Sequence, residues 1–87
     1  MISNTIHKFQ LLHGRELNLP RGFVARHVAD QLGTTTLWAE VDPAAPVDHY
    51  LAEKVATGRA VPPGGLYLGT ILEAHGQYVW HFYAVPA

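Results

Sequence analysis

From Gly65 to Val85 the chain sets Leu66-Tyr67-Leu68-Gly69-Thr70-Ile71-Leu72 and Tyr78-Val79-Trp80-His81-Phe82-Tyr83-Ala84-Val85 on either side of Glu73-Ala74-His75-Gly76-Gln77. Both runs are rich in β-branched, aromatic and aliphatic side chains, which pack well on a pleated surface. Two such runs around a short turn containing Gly predict a β-hairpin. That hairpin confines the chain to a small β-domain closed by its own last strand.

The preceding segments extend the pattern. Ile6-His7-Lys8-Phe9-Gln10-Leu11-Leu12 reads as a first strand, His13-Gly14-Arg15-Glu16 as a turn, and Glu16-Leu17-Asn18-Leu19 as a half-buried strand ended by Pro20-Arg21-Gly22. Thr35 to Val41 is a strand with Leu37, Ala39 and Val41 on one face and Thr36, Trp38 and Glu40 on the other. Two segments admit two readings each. In Phe23–Leu32, apolar residues recur at helical spacing before Gly33, and periodicity leans toward a helix; the alternative is a strand from Val24 to Gln31. In His49–Thr57, Ala52-Glu53-Lys54 favours a helix, whereas Tyr50, Val55 and Thr57 favour a strand. Asp42-Pro43-Ala44-Ala45-Pro46 and Thr57 to Gly65 are irregular connections.

With 87 residues the expectation is one domain, residues 1–87, with a thin core. An apolar content of 48% leaves apolar surface over, which predicts a homo-oligomer or a binding face. A net charge of −1 lacks the basic stripe of nucleic-acid binders, so no nucleic-acid partner is expected. Cysteine is absent, which removes disulfides, thiolate metal sites and a Cys nucleophile. No apolar run reaches the roughly 20 residues of a membrane helix, and the first residues lack a signal-peptide layout. The expected setting is cytoplasmic, with no membrane association.

Few residues offer chemistry. The six histidines show no metal-binding spacing, so no metal and no cofactor are expected. Ser3 is the sole serine, and the seven carboxylates form no diagnostic pattern, so the chain is not expected to be an enzyme. Period two places His81 and Tyr83 on one face of the last strand, beside Tyr67 or Ile71 of its partner, where they can stack a ring and hydrogen-bond its edge. The bland reading of that face is an aromatic patch or a subunit contact. Trp38 points away from its apolar neighbours and reads as an interface anchor or as part of a second packed layer. Thr57, Gly58 and Arg59 combine a hydroxyl, a flexible backbone and a forked cation, a modest anion site; the alternative is a solvated loop. Arg26 and Arg21 are phosphate contacts by the same argument.

Leu37-Trp38-Ala39, Val41-Asp42-Pro43, Ala45-Pro46, Thr57-Gly58, Pro62, Leu66-Tyr67-Leu68-Gly69-Thr70 and Val79-Trp80-His81-Phe82 together resemble a family of small bacteriophage and prophage proteins of uncharacterised function. Lys8-Phe9, Leu19-Pro20 and Gly22 add weaker matches. The resemblance implies an all-β architecture in which both ambiguous segments are strands: a small antiparallel meander of about six strands, sandwich-like or an open barrel. Before Gly33 the chain departs from the family pattern, placing Arg26, Val28 and Asp30 where the family alternates apolar residues. The family supplies no activity and no site residues.

The functional expectation is a non-catalytic phage counter-defence protein that sequesters a small nucleotide-like immune signal in the host cytoplasm, a sponge using His81, Tyr83, Trp38, Tyr67, Arg59, Thr57, Gly58 and Arg26. One alternative is a protein–protein inhibitor of a host defence complex, anchored on Trp38. The other is a small enzyme that degrades a nucleotide signal and depends on His81.

Overall fold

A computed structural model describes residues 4–87. Seven strands follow one another: β1 (Thr5–Gln10), β2 (Glu16–Pro20), β3 (Val24–Gln31), β4 (Thr34–Val41), β5 (Val47–Ala56), β6 (Leu66–Glu73) and β7 (Tyr78–Pro86). They form two antiparallel sheets, one ordered β1-β4-β3 and the other β2-β5-β7-β6. The sheets are not closed into a barrel. The chain is thus all-β and antiparallel, with seven strands where about six were expected. Only β3–β4 and β6–β7 pair as consecutive neighbours; β1 reaches β4, β2 reaches β5 and β5 reaches β7. The order is therefore a meander only in those two hairpins.

One core joins the two sheets. Leu37, Ala39 and Val41 of β4 face Leu17 and Leu19 of β2, Ala52 of β5, Leu68 of β6, and Phe82 and Ala84 of β7 in a single buried cluster with Leu11 and Val28. Each large aliphatic side chain taken from water contributes about 1.5–3 kcal/mol, which is why the alternation in β4 and β7 dictates their orientation. Phe9, Phe23, Tyr50, Ile71 and Trp80 pack around the rim of that cluster.

The two ambiguous segments are both strands, and each has a physical reason. In β3 the register against β4 shifts between Ala25 and His27, so Arg26 is an extra residue in a bulge. Ala25 opposes Ala39 and Val28 opposes Leu37, so two core-facing positions lie three apart. That spacing imitates a helix turn. The same bulge takes Arg26 out of phase with Val28; Asp30, in phase with Val28, lies exposed near the end of the strand. In β5, Ala52 is buried between β2 and β7, and pairing on both sides overrides the helix preference of Ala52-Glu53-Lys54.

The sheets come closest where edge strand β6 meets edge strand β3. A Cβ on Gly69 would lie 2.6 Å from Val28 Cγ2, so only glycine fits there. The β3–β4 connection is the two-residue turn Leu32-Gly33, with φ of +51° and +86°. Gly33 adopts such angles freely; Leu32 does not, and it is fully exposed.

Candidate functional site

The outer face of the β5–β7–β6 sheet gathers most of the sequence-selected residues. In the β6–β7 ladder, Thr70 opposes His81 and Tyr67 opposes Tyr83, while Ile71 opposes Trp80 on the inner side. On the other flank Val55 opposes His81 and Glu53 opposes Tyr83. The neighbour of Tyr83 is therefore Tyr67, as expected, and the neighbour of His81 is Thr70, not Ile71. A bulge at Leu68, between Tyr67 and Gly69, sets this offset. Thr70 was missed by sequence reasoning because nothing local announces that bulge.

His81 sits at the centre of a hydrogen-bonded row that crosses three elements. Its Nε2 is 2.8 Å from Thr57 Oγ1, just past the end of β5, and its Nδ1 is 2.9 Å from Thr70 Oγ1 on β6. Thr70 Oγ1 in turn bonds the Tyr67 hydroxyl. Hydroxyls donate or accept as required, so the row accommodates either imidazole tautomer. Tyr67 meets Tyr83 edge-on, with ring centroids 5.6 Å apart. The row fixes the His81 ring plane and leaves both its nitrogens engaged within the protein.

Beside this row lies a groove of about 210 Å³ lined by Val55, Ala56, Thr57, Gly58, Arg59, Val61, His81 and Tyr83. Thr57, Gly58 and Arg59 thus converge on His81 and Tyr83. The reason is topological: antiparallel β5 ends level with the start of β7, and the chain leaves through a turn closed by the Arg59 N–H donating to the Ala56 carbonyl at 3.1 Å. The Thr57 N–H also donates, to the Val79 carbonyl at 3.3 Å. Of the N–H groups of Thr57, Gly58 and Arg59, only that of Gly58 has no backbone partner among the described residues, and its φ of +92° keeps the turn tight. What the groove offers a guest is the exposed Arg59 guanidinium, the Gly58 amide, the Thr57 hydroxyl and the Tyr83 ring.

Trp38 and Arg26 are not part of this site. Both lie on the β1–β4–β3 sheet. Trp38 is half-buried on its outer face, opposite Lys8 and His27, and its ring lies 6.0 Å from that of His27. Arg26 forms a 2.9 Å ion pair with Glu40, and Asn4 bonds the other Glu40 oxygen at 3.2 Å. These hydrogen bonds hold the Glu40 carboxyl below its ordinary range. Arg21 is likewise taken, by a two-pronged contact with Asp48 at 2.9 and 3.2 Å that lowers the Asp48 pKa. Both arginines are held in exposed ion pairs, outside the lining of the Arg59 groove. Sequence reasoning did not see this, because Asp48 lies 27 residues from Arg21 and the Arg26–Glu40 pair depends on the bulge at Arg26.

The remaining hollows carry other residues. A cavity of about 750 Å³ lies between β3 and β6 and escaped sequence reasoning altogether. Among the described residues no cluster of His, Asp and Glu is arranged to hold a metal ion, and no helix is long and apolar enough to cross a membrane. No curated protein and no solved structure matches the chain. A family model does match, over residues 2–87, so the chain belongs to the family described as a domain of unknown function, DUF7352.

Proposed function

We propose that this protein is a non-catalytic sponge of phage origin that binds and sequesters a small nucleotide-like host immune signal in the cytoplasm. The observation that carries the reading is the convergence of Thr57, Gly58 and Arg59 on His81 and Tyr83 around one groove. A cation and an amide beside an aromatic ring suit a phosphate attached to a flat heterocycle. The groove, at about 210 Å³, is smaller than the roughly 300–1,000 Å³ of small-ligand pockets. It therefore takes the phosphate and part of the sugar. The base lies over Tyr83 and Tyr67, or under a second copy of the chain in a homo-oligomer. His81, with both nitrogens engaged, acts as a rigid wall and not as an acid or base.

Calorimetric titration with cyclic and linear nucleotides, including ADP-ribose derivatives, tests this. Saturable heat with one class, weakened by Arg59→Ala, supports it; no heat with any member overturns it. A second reading rests on the outer face of the other sheet, where half-buried Trp38 lies near exposed Ile6 and Val24. That face suits a protein-inhibitor role, and a stable macromolecular partner lost on Trp38→Ala would favour it.

A further inference from the structure

Strands β3 and β6 each end a sheet, so each has one row of backbone N–H and C=O groups with no ladder partner. Here the two strands pack against each other. They touch at Val28 and Gly69, and the residues that follow each of these in the chain line one opening. The opening is the cavity of about 750 Å³, walled by Ala29 and Asp30 on one side and by Thr70, Ile71, Leu72 and Glu73 on the other. Among the described residues no backbone hydrogen bond joins β3 to β6.

Three properties select an occupant. The walls present backbone donors and acceptors in strand geometry, which an extended chain satisfies and a compact small molecule does not. Ile71 and the exposed Leu72, on opposite faces of β6, both border the opening and add apolar surface to it. Asp30 and Glu73 place a carboxylate on each side, neither is in an ion pair among the described residues, and the lining contains no Lys or Arg. We propose that the cleft between β3 and β6 receives an extended segment of a partner protein, added as a strand along Thr70–Glu73 with a basic side chain between Asp30 and Glu73. This site is separate from the Arg59 groove and does not depend on it.

The test uses the full chain and a fluorescent Val-Arg-Val-Arg-Val peptide, read by anisotropy and by amide chemical shifts. Saturable binding is expected, with shifts confined to Ala29–Gln31 and Thr70–Glu73. The double variant Asp30→Asn, Glu73→Gln, both at exposed positions, should bind about tenfold or more weakly, as loss of charged contacts entails. A peptide N-methylated on its pairing edge should not bind. Absence of saturable binding overturns the proposal. So does binding indifferent to N-methylation, or spermidine competing as well as the peptide does, which would make the cleft a plain cation site. Shifts centred on Arg59 would overturn it too, and would leave the sponge reading standing.

Discussion

Replacing Leu32 by Asn should make the protein more stable. Leu32 occupies the first position of the β3–β4 turn at φ +51° and makes no use of its side chain, which is fully exposed. A left-handed backbone costs an ordinary L-residue roughly 1–2 kcal/mol, and asparagine pays much less of it because its short amide bonds locally. No burial is lost in exchange. The net gain is about 1 kcal/mol, which raises the melting temperature by about 4–8 °C in a domain of this size. Leu32→Gly should gain less, because glycine adds unfolded-state freedom that costs about 0.5–1 kcal/mol. Urea unfolding followed by tryptophan fluorescence measures the midpoint, expected to rise by about 0.5–1 M for Asn with an unchanged slope. A midpoint that falls for Asn would refute the reasoning, and a fall that deepens with protein concentration would show Leu32 buried between copies.

Gly69→Ala should destabilise by about 1–3 kcal/mol, since its methyl group would overlap Val28; thermal unfolding checks it. Thr70→Val removes the hydroxyl that bridges His81 Nδ1 and Tyr67, and should cost about 1–2 kcal/mol in chemical unfolding. Arg59→Ala should leave the unfolding midpoint in place while removing nucleotide binding, because the side chain is exposed and outside every ion pair among the described residues. Glu40 and Asp48 are held below their ordinary values of 4.5 and 3.8, so the unfolded chain binds more protons in acid. Their contribution is fully present above about pH 5 and is lost as pH falls through the lowered folded values. Arg21→Ala and Arg26→Ala should flatten that acid limb, as should added salt, because both pairs are exposed.

How much of this was legible in the sequence depended on distance along the chain. The β6–β7 hairpin, the inward trio of β4 and the strand character of β2 follow from alternation alone. Strand β3 misled because its bulge at Arg26 spaces Ala25 and Val28 like a helix turn, and β5 because pairing on both flanks overrode local preference. Within the candidate site, the Tyr67–Tyr83 contact was readable from the hairpin. The meeting of Thr57 and Arg59 with His81 was not, since it needs β5 laid against β7. Trp38 went to the other sheet because β4 is that sheet's central strand. The β3–β6 cleft is made by two hairpins that share no hydrogen bond, so no local pattern announces it.

The Gly69–Val28 contact ties the evolution of two distant positions together. A methyl group gained at 69 must be matched by volume given up at 28, and the exchange is unequal. With Val28→Ala the 2.6 Å overlap with Cγ2 disappears, but the 2.8 Å approach to Cβ remains. A variant that carries a methyl group at 69 must therefore also lose the Cβ at 28 or move one hairpin relative to the other, and such a displacement would alter the opening between them.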